Sequence, residues 1–296
     1  MMKQFASVLA LLAFCGASAF AAGAACPLPP APLASPAPDA GRLRVGVALG
    51  SGSTHGLAHI GAIEEMEARG LRVDVVAGTS AGAIIGALWA SGSSGAEIEN
   101  LSRYGDWEGM DRFSPTWQSL YSSDPLRTNL QRLLPPKPIE AWPRRFGAVT
   151  TEIDSGRRRI IARGDGTRAV MASSAMPVAY APVVIDGVSL ADGALVEPVP
   201  ARAARDLGAD FVIAIDVAYR PYEEPARGLL QSGFQAIHVL VNSLAAEQDR
   251  YADHVVRMDV HRVYMDCGAQ AMVYAGRQAV REAWPAIEAA LARARK

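Results

Sequence analysis

The chain has 296 residues, half of them hydrophobic, and its 29 Lys and Arg against 30 Asp and Glu leave a formal charge of −1. That length suffices for one large α/β domain with a sizeable core, and the balanced charge argues against the basic surface that nucleic-acid binding requires. Three cysteines, Cys15, Cys26 and Cys267, make no disulfide framework, and no Cys/His cluster has metal-ligand spacing, so no metal is expected.

The first 26 residues read as a secretory signal peptide. Lys3 gives a basic start, residues 5–14 an apolar run, and residues 19–25 the small side chains that precede cleavage. The apolar run is too short for a convincing membrane span. Gly23-Ala24-Ala25-Cys26 resembles the lipobox of bacterial lipoproteins, with Gly23 where that pattern usually has leucine. The expectation is an exported, periplasmic chain, with a lipid anchor at Cys26 or an uncut N-terminal anchor as alternatives. Residues 27–41 form a Pro/Ala-rich tether of the kind that spaces a domain off a surface. Residues 42–296 remain for one folded domain.

Residues 43–49 are an apolar run that suggests a strand buried on both faces. Residues 50–56 are a loop. Leu57, Ile60, Ile63 and Met66 then recur at helical spacing, with Glu64, Glu65 and Glu67 on the other side. Gly70 is placed to end that helix, and 73–77 is the next strand. Two strand–loop–helix units in succession predict a parallel sheet flanked by helices. Residues 93–143 are less regular and read as short helices and loops, a candidate cap. Trp107, Phe113, Trp117, Leu120 and Tyr121 within it could line an apolar site or simply be core. Strands at 146–153 and 158–162 meet at Asp154-Ser155-Gly156, a hairpin turn. A helix over 166–174 and a strand and turn over 183–188 follow, with Asp192-Gly193-Ala194 in a loop. The remaining elements are a helix over 201–207, a strand over 211–217, a long helix over 229–248, a strand over 254–260 and a closing helix over 276–293.

The chemistry concentrates at Val75-Val76-Ala77-Gly78-Thr79-Ser80-Ala81-Gly82. A buried strand ends in Gly-x-Ser-x-Gly ahead of a helix of small residues, the sequence form of a nucleophile elbow. Gly78 and Gly82 meet the steric demand of that sharp turn. The positive end of the helix favours an oxyanion beside Ser80. Chance and an ordinary strand–helix turn produce the same five-residue match. The loop Gly50-Ser51-Gly52-Ser53-Thr54-His55-Gly56 can turn several backbone N–H groups toward one point. Alone it suits an oxyanion hole or a phosphate cradle about equally, since an acidic residue stands near the ribose-binding position, at Asp74. A serine elbow one βα unit later favours the oxyanion hole.

A serine hydroxyl needs a base. His238, His254 and His261 could complete a triad, although the first lies in a helix and the others flank a strand. Asp192, at an apolar strand end before Gly193, could serve directly, or be a turn aspartate.

Four blocks stand in order: Leu49 to Gly61 (LGSGSTHGLAHIG), Gly78 to Gly82 (GTSAG), Ala172 to Pro182 (ASSAMPVAYAP) and Asp192 to Pro200 (DGALVEPVP). Together they resemble the bacterial patatin-like phospholipases over roughly 43–270. The resemblance implies a three-layer α/β/α fold around a mainly parallel sheet, and a serine acyl hydrolase of membrane or lipid esters with no cofactor. It implies Ser80 as nucleophile, Asp192 as general base and the N–H groups of Gly52 and Ser53 as oxyanion hole. Gly50, His55, Gly56, Gly78, Gly82, Gly193 and Ala194 are the supporting motif positions. In one departure, His55 stands where the family usually has Arg or Lys, so positive charge there requires protonation. His59 reads as a packing residue. The rival readings are a His-dependent esterase for small esters and a non-catalytic lipid-binding lipoprotein.

Overall fold

The computed structural model describes residues 42–104, 112–217, 228–258 and 261–295. All of them belong to the larger of two units into which the chain divides, Ser35–Lys296. The expected signal peptide, Cys26, the tether and Trp107 lie outside the described residues.

Two βα units open the fold: β1 (Val45–Leu49), α1 (Ala58–Ala68), β2 (Val75–Thr79) and α2 (Ala81–Ser91). Next come α3 (Gly95–Tyr104), α4 (Asp124–Leu133), β3 (Arg145–Glu152), β4 (Arg157–Ile161) and α5 (Gly166–Ser173). The chain continues through β5 (Val183–Ile185), β6 (Val188–Asp192), α6 (Ala201–Asp206) and β7 (Phe211–Asp216). It closes with α7 (Leu229–Gln248), β8 (His254–Arg257) and α8 (His261–Ala294). Strands β3, β2, β1, β7 and β8 run parallel, while β4 and β6 pair antiparallel with β3, and β5 with β6.

The period-two alternation of β1 assigns the layers. Val45, Val47 and Leu49 join the core cluster with Ile60 and Ile63 of α1 and Ala83 of α2. Gly46 points the other way, where a Cβ would lie 2.5 Å from that of Ala209 and 3.5 Å from that of Ala204 in α6. Helices therefore cover both faces of a mainly parallel sheet, a three-layer α/β/α fold. Every residue of β1, β2 and β7 is buried, which explains sequences that are apolar up to Thr79 and Asp216 at the ends of β2 and β7.

Helix α1 stops as its sequence requires. Gly70 adopts φ 71°, its N–H donates to the Glu67 carbonyl (2.8 Å), and Leu71 N–H reaches Met66 (3.0 Å). The expected polar face of α1 is a correction. Glu65 is buried against Arg69 and Arg281, each at 2.9 Å, Glu64 pairs with Arg277, and Glu67 accepts from Trp89 Nε1 at 2.8 Å. Helix α8 supplies Arg277 and Arg281 and lies over α1, while Arg69 follows the end of α1 itself. A Cβ on Gly61 would sit 1.8 Å from the Val273 carbonyl, so two backbones meet at the crossing. The closing helix also begins at His261 rather than at 276, and β8 ends at Arg257.

Candidate active site

The site is built by the two edges of β3. Strand β4 pairs with one edge from Ala148 to Glu152. The other edge is shared: β2 pairs with it up to Thr79, opposite Val149, and β6 takes over at Asp192, opposite Thr150. The ends of β2 and β6 thus meet head to head, at consecutive positions on one edge. Strand β2 cannot continue, because Asp192 and Gly193 occupy the space ahead. A Cβ on Gly193 would lie 2.2 Å from the Val149 carbonyl, so only glycine lets the chain pass there. Asp192 was expected in a loop. It is the last residue of β6, and pairing rather than turn geometry fixes its direction.

Ser80 takes the turn that this collision imposes, with φ 55° and ψ −122°. Such a conformation is strained in a non-glycine residue and holds a side chain out of the sheet at a strand–helix junction. Three contacts maintain it. Ser80 N–H donates to Ser173 Oγ (3.1 Å), whose own hydroxyl donates to the Val149 carbonyl (2.6 Å), and Thr79 Oγ1 donates to the Glu197 carbonyl (2.8 Å). Gly82 is pressed on the first loop, where a Cβ would lie 2.0 Å from the Leu49 carbonyl, and a Cβ on Gly56 would meet that of Ala81 at 2.5 Å. Gly78 likewise backs onto Ala83 at 2.5 Å. The elbow and the glycine-rich loop are therefore in contact.

That loop holds its peptides in order. Gly50 N–H donates to the Ile215 carbonyl (3.0 Å) and Ser51 N–H to the Pro198 carbonyl (2.8 Å). The Gly50 carbonyl accepts from His59 Nε2 (2.8 Å). The next two N–H groups, of Gly52 and Ser53, have no acceptor among the described residues. Ser53 has φ 51° and opens a 3₁₀ turn, Ser53–Leu57, which replaces the second half of the expected loop. His55 lies in that turn and is 2% exposed, so its ring faces the interior rather than a headgroup.

Asp192 is wholly buried. Its Oδ1 accepts from Ala194 N–H (2.8 Å), and its carbonyl accepts from Thr151 Oγ1 (2.8 Å). Oδ2 makes no hydrogen bond of full geometry, and the Ser80 hydroxyl is close enough to act on the carboxyl. Burial raises its pKa to about 7, against the lowering effects of the Ala194 N–H and the Ser80 hydroxyl. Such a carboxylate is half ionised near neutrality and suited to taking a hydroxyl proton.

The histidines stand differently. His254 faces Ile213, which faces Val47, which faces Val76. It is thus three strands away and four residues below Ser80, on the order of 20 Å from strand spacing and rise. His238 lies on α7, and the His261 side chain is outside the described residues. Among the described residues no group of three His, Cys, Asp or Glu could hold a metal ion.

Three residues in this site escaped the motif reading. Ser173, in the third block, fixes the elbow backbone. Glu197, in the fourth, is buried against Arg158 at 2.6 Å and also accepts from Ala203 N–H (2.8 Å), pinning the segment after Asp192. His59, expected only to pack, holds the Gly50 peptide. A carbonyl can only accept, so Nε2 carries the proton, and burial brings the ring's pKa down to about 4. Its place at the very start of α1, three residues after the loop, was the available clue.

The patatin-like phospholipase family matches residues 47–205. An uncharacterized NTE family protein of Mycobacterium tuberculosis is 30% identical over 197 residues, covering 64% of this chain and 53% of that protein. The lysophospholipase NTE1 of Pyricularia oryzae is 30% identical over 183 residues, 58% of this chain and 12% of its own. The chain thus spans about half the length of the mycobacterial relative. The crystal structure of VipD from Legionella pneumophila aligns with a TM-score of 0.44 at 14% identity, over 82% of this chain and 67% of that one. The family match covers the glycine-rich loop, the elbow, the Ser173 block and the Asp192 block, and the chain belongs to the patatin-like phospholipase family.

Proposed function

We propose that this chain is a serine acyl hydrolase of lipid esters that works through a Ser80–Asp192 dyad. The observation that carries the reading is the shared edge of β3, on which Thr79, just before a strained Ser80, and a buried Asp192 terminate two strands at adjacent positions. Asp192 Oδ2 takes the Ser80 hydroxyl proton as Oγ attacks the ester carbonyl. The oxyanion accepts from the N–H groups of Gly52 and Ser53, beside the positive end of α2. Collapse breaks the ester bond, Asp192 returns its proton to the departing alkoxide, and an acyl-enzyme remains. Water, deprotonated by Asp192, then attacks the acyl carbon; collapse breaks the bond to Ser80 Oγ, which takes the proton back from Asp192, and the fatty acid leaves. The fungal relative's name supports lysophospholipids as a first substrate class to try. The reading includes export on residues 1–26.

Turnover of a lysophospholipid and of a short-chain ester, with Ser80→Ala and Asp192→Asn, tests the assignment. The dyad predicts that both variants lose turnover on both esters. Activity that survives in Asp192→Asn and vanishes in His238→Ala or His261→Ala would replace it with a His-dependent triad.

A further inference from the structure

A second surface bears on how this site reaches a lipid. Residues 112–122 fold back as a narrow hairpin: Phe113 bridges Tyr121, Ser114 N–H donates to the Leu120 carbonyl (3.0 Å), and Thr116 N–H closes the turn on Ser119 (2.7 Å). Trp117 stands in that turn and is 100% exposed, and Phe113 is 66% exposed. Neither is part of the core, contrary to one expectation for these residues. From Phe113 to Ser123 no residue is charged. The first charges on either side, Arg112 and Asp124 at the base of the hairpin, are both exposed and stand 3.8 Å apart.

The hairpin is tied to the site. Leu120 N–H donates to the Val178 carbonyl and Tyr121 N–H to that of Ala179, both at 2.9 Å, and Tyr121 packs on Tyr180. That segment follows Ser173, which holds the Ser80 peptide, and Ala175, whose carbonyl accepts from Asp192 N–H (2.9 Å). Val178, at this seam, is itself half exposed and carries φ 73°, rare for a β-branched residue.

We propose that the Trp117 hairpin docks the protein on a lipid–water interface, with the indole below the headgroups and Arg112 at phosphate level. An uncharged aromatic tip above an exposed arginine matches the layering of that interface. A protein partner fits less well, since two rings of about 150–250 Å² each fall short of the roughly 800 Å² per side that a stable interface buries. The choice of a lipid partner rests on the lipid-ester reading above.

Emission quenching by vesicles of brominated phosphatidylcholine and phosphatidylglycerol in equal parts, with the full chain and its Trp117→Phe variant, isolates this one indole. The proposal expects a quenched, blue-shifted component that the variant lacks. It also expects Trp117→Asp to lower turnover of vesicle phospholipid, relative to a monomeric short-chain ester, by about tenfold or more, the scale of withdrawing one large aromatic from an apolar medium. Equal quenching of both proteins, or an unchanged turnover ratio in Trp117→Asp, overturns it. So does a Trp117-dependent dimer in vesicle-free solution without quenching, which would assign the surface to a second copy. A wild type that hydrolyses neither ester overturns the lipid-ester reading, while the quenching result stands separately.

Discussion

Replacing Asp192 by Asn should abolish turnover and yet stabilise the protein, by an amount that grows with pH. The Asp192 carboxyl rises from its ordinary 3.8 to about 7 because the folded protein buries it. At about 1.4 kcal/mol per unit, that corresponds to about 4 kcal/mol. Below 3.8 both folded and unfolded carboxyls are protonated and nothing is lost. As pH climbs, the unfolded carboxyl ionises first, and the penalty is complete above about 7. Between pH 5.5 and 8 wild type should therefore lose about 2 kcal/mol from this group. His59 runs the opposite way, because its folded pKa of about 4 lies below the ordinary 6.5. Its neutral form confers stability that falls away on acidification, by about 1.4 kcal/mol over the same interval. The two nearly cancel in wild type, so the measurement is the difference between proteins. Urea unfolding of wild type and Asp192→Asn at pH 5.5 and 8 should show the advantage of the variant widening by about 2 kcal/mol. An advantage that stays constant between the two pH values would refute the buried, elevated carboxyl.

The acid limb of kcat/KM for a soluble ester should likewise titrate near pH 7, read from a pH–rate profile, since the base acts ionised. Ser173→Ala removes the acceptor of Ser80 N–H and a bond to Val149, so kcat should fall with little change in KM, at about 1–3 kcal/mol of stability by chemical denaturation. His59→Phe frees the Gly50 carbonyl and should lower kcat more than KM, with partial rescue in His59→Gln, whose amide can still donate. Gly193→Ala sets a Cβ against the Val149 carbonyl and should cost about 1–3 kcal/mol or more, with activity lost alongside, by thermal melting and ester turnover.

The parts of this site that were legible in the sequence are those governed by local sterics. A strand that must turn within one residue requires Gly78, Ser80 and Gly82, and the Gly70 stop of α1 is equally local. The apolar runs of β1, β2 and β7 declared their burial on both faces. Long-range pairing was silent. Nothing near Asp192 records that β6 will join β3 directly beyond β2, over a hundred residues away in sequence, so a strand-terminal aspartate was placed in a loop and left open between a base and a turn residue. The same holds for Glu64 and Glu65, whose partners Arg277 and Arg281 lie more than two hundred residues on, in α8. Ser173 and His59 were hidden for another reason: a serine after alanine and a histidine on an apolar helix face are common, and only their acceptors distinguish them.

The most direct test of the dyad is fluorophosphonate labelling, with the modified peptide located by mass spectrometry in wild type, Ser80→Ala, Asp192→Asn and His261→Ala. The account predicts a single adduct on Ser80 whose rate rises through about pH 7, absent in the serine variant, lost in Asp192→Asn and retained in His261→Ala. Labelling at the wild-type rate in Asp192→Asn, or none in folded wild type, would contradict it.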